Sequence, residues 1–248
     1  MKFDFDFLPP EKWMNAAGTA GYYPARDFSI HFPEIELFIT NPVSFLPRTP
    51  AAHRCVISHP GGFFLHNGYP NPGIKKIIMK YQKYWENSPL RICVNILSDD
   101  PRNLEKIVRI VEAIENVTAI ELGIDNSSSK DEILKMISSV SGELPIILSL
   151  PFEFIYQDWI DQILIPDVMG ISVQAPRGVQ IHNNHMIRGR LYGESVFPLT
   201  MHAITLLKSL DKPIYAGVGI INREKLKDLF ACGLTNFQAH EIIWRENI

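Results

Sequence analysis

From residue 91 onward, short β-branched apolar runs alternate with amphipathic stretches of helical period, and few folds accommodate that rhythm. The runs 91–97, 118–124, 145–150, 168–173, 213–217 and 236–239 are short and nearly free of polar residues, as strands buried on both faces must be. Between them, 103–116, 130–140, 154–164, 196–209 and 223–232 carry apolar residues at helical spacing, and Gly233 follows the last as a C-cap. Strand, helix, strand in alternation means parallel strands joined by crossover helices.

Two earlier segments, 12–17 and 36–40, read as further strands and bring the count to eight, the number that closes into a barrel. A chain of 248 residues with 46% apolar side chains suits one such domain, spanning 1–248. An open doubly wound sheet is the rival architecture, but its GxGxxG phosphate fingerprint after the first strand is missing. The expected class is therefore α/β, a (β/α)8 TIM barrel.

Charge and cysteines exclude several function classes. Lys and Arg total 24 against 27 Asp and Glu, with no basic concentration, which argues against nucleic acid or an anionic membrane as partner and for a small molecule. Cys55, Cys93 and Cys232 are widely spaced and lack CxxC spacing, so neither a disulfide framework nor a zinc site is expected, and the compartment reads as reducing. The opening MKFDFDFLPPEKW alternates Phe with Asp instead of showing a basic and then an apolar region, which points to the cytoplasm.

One connection breaks the rhythm. Residues 41–81 form a long Pro-, Gly- and His-rich segment, and loops of that length in a compact domain usually carry function. His53, His59 and His66 lie in it, and His182 and His185 follow the sixth strand, but no HExxH or similar spacing accompanies them, so no metal is assigned.

Seven segments in order, NAAGTAGY, FITNPV, PRTP, HNGYPNPG, ELGIDNSS, RGRLYG and GVGI, resemble the dihydroorotate dehydrogenase family of FMN-dependent barrels over nearly the whole chain. The resemblance implies an FMN-linked oxidoreductase barrel. Ala16, Ala17 and Gly18 would then lie against the flavin ring, although Gly18 and Gly21 also suit a plain turn. Asn67, Gly68, Tyr69 and Asn71, with Ser128 and Gln174, would hold a planar ring substrate, with Leu65 replacing the family's orotate-binding asparagine.

The same resemblance shows where the pattern breaks. The family's Cys or Ser base, on the loop after the fourth strand, is Asn126 here, which cannot take a proton; Asp125 is the one ionisable neighbour and the candidate if proton transfer survives. Two lysines that sit near substrate and flavin are replaced by Asn41 and Ser149, removing a fixed positive charge of the kind that stabilises a reduced ring. Gly193 and Gly217 remain on the phosphate side, but the paired glycines after the seventh strand become Val218-Gly219, and the Gly-Thr or Gly-Ser after the eighth becomes His240-Glu241. Glu241 would set a negative charge beside a phosphate dianion, with Arg188 or Arg190 to compensate, or would simply open a helix as a favourable acidic residue. In the same way Asp125 and Ser127 to Ser129 read equally as a turn capping the helix from Lys130.

Three functions follow: an FMN-dependent oxidoreductase of CH–CH bonds in a small ring compound, a flavin-free enzyme on a cyclic or pterin-like substrate, or a non-catalytic barrel that binds a metabolite or a partner protein. Because only eight residues follow His240, a second subunit is expected to cover that flank, making a homo-oligomer.

Overall fold

In the computed structural model, which describes residues 13–246, eight strands form a closed barrel in the order β1-β12-β11-β8-β7-β6-β5-β2. These are β1 (Trp13–Asn15), β2 (Ile35–Ile39), β5 (Arg91–Leu97), β6 (Val117–Gly123), β7 (Ile146–Leu150), β8 (Val168–Val173), β11 (Ile214–Ala216) and β12 (Asn236–Ala239). Every neighbouring pair is parallel, so all eight expected strands are present and the α/β barrel is the observed fold. The amino-terminal segment, with Lys12 of the expected first strand, lies outside the described residues.

The reason the strands are nearly unpolar is visible in the packing. Their outward side chains, such as Ile92, Val94, Ile120 and Leu148, join the helices in one large core. Their inward side chains fill the barrel with Met14, Leu37, Ile39, Cys93, Ala119, Ile147, Met169 and Tyr215. Two residues further along, the inward layer turns polar: Asn95 follows Cys93, Glu121 follows Ala119 and Ser149 follows Ile147. That change from apolar filling to polar groups marks the carboxyl ends of the strands, where barrel active sites form.

Among the described residues, six of seven helices flank the barrel: α1 (Phe28–His31), α2 (Ile74–Glu86), α3 (Pro101–Val111), α4 (Lys130–Val140), α5 (Phe197–Leu207) and α6 (Leu226–Cys232); the seventh, α7 (Glu241–Glu246), follows β12. Helix α3 starts earlier than its period suggested because Asp100 caps it, accepting the Arg102 N–H at 3.0 Å, with Pro101 at the first helical position. Helix α4 opens on a capping box of Ser129 and Glu132, and α6 ends on Gly233 at φ 110°, both as the sequence indicated. The helix expected over 154–164 is instead two short 3₁₀ turns, Phe152–Tyr156 and Ile160–Ile163. Gln157 is extended (φ −83°, ψ 133°), which splits the segment while Phe154 and Trp159 keep the apolar contact edge to face.

The long 41–81 connection is not bare loop. It holds the hairpin of β3 (Cys55–His59) and β4 (Gly62–His66), and the connection after β8 holds a second hairpin, β9 (Arg177–His182) and β10 (His185–Tyr192). The two combine into one antiparallel sheet, β3-β4-β10-β9, standing over the carboxyl ends of the barrel strands. No helix of the described residues is long and apolar enough to cross a membrane.

Candidate active site

A cavity of about 80 Å³ opens at the carboxyl ends of the barrel strands, roofed in part by the four-stranded sheet. Its floor is the polar layer inside the barrel. Glu121 lies there fully buried, accepting hydrogen bonds from Ser172 Oγ at 2.6 Å, Gln238 Nε2 at 2.9 Å and Asn95 Nδ2 at 2.7 Å. Burial raises its carboxyl above the ordinary range, and the three donated hydrogen bonds only partly offset that. Four barrel strands are thus tied across the lumen through one acidic side chain.

The wall facing that floor is basic. Arg177 on β9 and Arg190 on β10 are direct cross-strand partners, and neither forms an ion pair among the described residues. Arg190 donates from Nη2 to Gln174 Oε1 at 2.9 Å and lies over the Tyr69 ring at 4.4 Å. Gln174 is itself fixed, donating from Nε2 to the carbonyls of Ile124 at 3.0 Å and Ser149 at 2.8 Å. Burial, followed by the neighbouring Arg190 charge, lowers the pKa of Arg177. His240, buried beneath Arg190 and Tyr192, is pushed down to about 3 by burial and then by Arg190, and stands neutral.

Of the residues singled out in the sequence, Ala16, Ala17, Tyr69, Asp125, Ser149, Gln174 and His240 line this cavity together. Asp125 sits at the rim. Burial raises its carboxyl, but the Ser127 backbone N–H, the Ser127 hydroxyl, Arg177 and Arg190 outweigh that and hold it below its ordinary value. Asn126, at the family's base position, faces elsewhere and donates to Glu153 Oε2 at 2.6 Å.

Other candidates serve the frame instead. Asn41 accepts the Gly21 N–H at 3.1 Å and donates its own N–H to the Gly21 carbonyl at 2.7 Å, so it pins the first loop. That loop carries Gly18 and Gly21 at φ 87° and 86°; Gly18 does not line the cavity, whereas Ala16 and Ala17 do. Asn71 is buried, accepting from Ser44 Oγ at 3.0 Å and the Gly73 N–H at 3.0 Å, and Asn67 accepts the Tyr69 N–H at 3.2 Å. Gly68 packs against Ala51, and Ser128 lies in a separate surface groove beside Asp99 and Glu132. Gly217 is buried against the Gln238 backbone. The loop histidines have local partners: His66 bridges the carbonyls of Arg188 at 2.7 Å and Ala52 at 3.1 Å, and His53 stacks on His185 at 3.9 Å. Among the described residues no three His, Cys, Asp or Glu side chains converge as a metal site.

The phosphate side decides how well FMN fits. Gly193 and Gly219 hold left-handed backbone at φ 106° and 90°, and a Cβ on Gly219 would come within 2.5 Å of the Phe197 nitrogen, so only glycine serves there. Their N–H groups converge beside the first residue of α7, in the position after the seventh and eighth strands where barrels bind phosphate. One group already sits on them. Glu241 Oε1 accepts the Gly193 N–H at 2.7 Å and the Gly219 N–H at 3.0 Å, and the carboxylate also takes its own backbone N–H. Burial raises its carboxyl above the ordinary range, which the backbone hydrogen bonds only partly offset, and a phosphate on the same donors would collide with that buried side chain in volume. The cavity is also small beside the roughly 300 Å³ at which ordinary cofactor clefts begin. The residues present do not fit FMN.

Sequence reasoning passed over Glu121, Arg177 and Tyr192. The signal for Glu121 was available, since an acidic residue inside an otherwise apolar strand must find partners or shift its pKa. Arg177 and Tyr192 needed the second hairpin, whose alternation is masked by charged and polar residues on both faces. No protein-family model matches this chain, and comparison with curated proteins finds no significant relative.

Proposed function

We propose that this chain is a divergent barrel of the dihydroorotate dehydrogenase type that works without FMN and takes a small cyclic metabolite at its mouth. The carrying observation is the Glu241 carboxylate seated on the Gly193 and Gly219 N–H groups, where a cofactor phosphate would need to be. The ordered segments shared with that family support the descent, and the polar, partly enclosed cavity supports a retained ligand.

If the ligand is turned over, proton transfer falls to Glu121 rather than to Asp125. Asp125 is held ionised at the rim by Ser127 and two arginines, which makes it a weak base. Glu121 lines the cavity floor with a raised pKa, the environment that suits a carboxyl group for acid–base work near neutrality. The cysteine pattern and charge balance favour the reducing cytoplasm as its setting.

The test is the visible spectrum of the purified protein. A colourless preparation, with no flavin released on denaturation and none taken up on incubation with FMN, is the expected result. A yellow protein that releases stoichiometric FMN refutes the proposal and returns the chain to flavin chemistry.

A further inference from the structure

We propose that a second ligand site lies outside the mouth, in the groove between the β3–β4 hairpin and α7, and that it takes a small arylalkyl amine, with the ammonium nitrogen on Glu241 and the ring against Phe63 and Trp244. The site goes beyond the reading of the mouth cavity and shares with it only the position of Glu241.

The groove holds about 530 Å³, within the range of small-molecule sites and far larger than the mouth cavity, with which it shares no lining residue. Tyr192 is the partition. It lines the mouth, while its ring packs against Phe63 at 5.2 Å and Trp244 at 5.4 Å, both of which line the groove. The walls are tied together: the Ser195 N–H donates to the Gly61 carbonyl at 3.1 Å, and Gly62 lies so close to the Tyr192 carbonyl that no side chain would fit there.

Glu241 gives the groove its chemistry. The residue is buried, its Oε1 is spent on the Gly193 and Gly219 N–H groups, and its Oε2 has no hydrogen-bond partner among the described residues. A buried polar oxygen in that state costs free energy that a donor in the groove recovers. An ammonium group suits it best. Burial favours the protonated carboxyl, the donors on Oε1 favour the ionised one, and a cation at Oε2 tips the balance toward the ionised acceptor. The aromatic faces of Phe63 and Trp244 attract the same charge. The other charged groups on the groove are Glu194, already holding Lys225 at 3.0 Å, and the exposed Arg245, so Glu241 is the acceptor that a buried cation meets. Val56 and Ile221 add apolar surface, which calls for a hydrocarbon body on the amine.

Thermal denaturation of the full chain with three probes of one shape tests this: 2-phenylethylamine, the neutral 2-phenylethanol and the anionic phenylacetate. The amine is expected to raise Tm saturably, by roughly 5–10 °C at a hundredfold excess over its Kd, while the alcohol and the acid leave Tm unchanged. Glu241→Gln, which puts an amide NH₂ in place of the free oxygen, is expected to weaken the amine at least about tenfold. Val56→Lys, which adds a positive charge at an exposed position on the groove, is expected to weaken it as well. Should Glu241→Gln not fold, Val56→Lys and the comparison of the three probes on the wild-type chain still decide. No response to the amine, an equal response to the alcohol, a stronger response to phenylacetate, or folded variants that bind the amine as before each overturns the site. FMN uptake, read from the visible spectrum, tests the flavin-free reading separately, so the two failures are distinguishable.

Discussion

Glu121 and His240 are both buried ionisable groups at the cavity, and their pKa values move in opposite directions. Glu121 is raised, so it favours the folded state while protonated and that contribution is lost as pH rises through its folded value, which lies above 4.5. Glu121→Gln removes the titration, and Asn95, whose Oδ1 has no partner, can turn its amide to accept from the new side chain. Urea unfolding from pH 5 to 8 is therefore expected to show the variant gaining stability relative to wild type as pH increases. His240 is lowered from 6.5 to about 3, so its contribution is present above pH 6.5 and is lost as pH falls through that window. Acid unfolding of wild type should exceed that of His240→Gln by about 1.4 kcal/mol per pH unit there, the slope of a single proton. Parallel curves for either pair would mean that the carboxyl or imidazole titrates normally.

At the scale of elements, the two hairpins and the loop after β11 decide what the barrel can hold. The hairpins supply Arg177, Arg190 and Tyr192 to a cavity whose floor belongs to the barrel strands. The loop after β11 supplies the Gly219 N–H, and its φ of 90° together with the closeness of Phe197 leaves no room for a side chain. Gly219→Ala should cost on the order of 1–3 kcal/mol, from strain and from the displaced seat of Glu241. A denaturant midpoint unchanged from wild type would show that this loop adapts freely and that Glu241 is not held there. The barrel strands were legible because double-sided burial leaves an unmistakable apolar run, as in 91–97 and 168–173. The hairpins were not, because in RGVQIH and HMIRGRLY the arginines share a face with the exposed Val179, Ile181 and Met186, so no clean alternation of apolar and polar residues marks either strand.

For the molecule as a whole, a regular barrel carries a mouth assembled from irregular connections and two hairpins. Ala16, Ala17, Tyr69, Asp125, Ser149, Gln174 and His240 could be gathered from sequence because each lies at the end of a barrel strand, just after one, or in the long connection. What could not be read was direction: Asn41 and Asn71 turn inward on their own loops, Asn126 turns to Glu153, and Glu241 folds back onto backbone donors. Those orientations depend on which N–H groups are left without partners once the chain has folded, and no spacing rule encodes that. Equilibrium titration of FMN into the wild-type chain, followed by flavin fluorescence, is the most direct test of this mouth. With the Glu241 carboxylate on the Gly193 and Gly219 N–H groups, no saturable quenching is expected at any attainable concentration. Tight, stoichiometric quenching would contradict it, because the phosphate could bind there only by displacing that carboxylate.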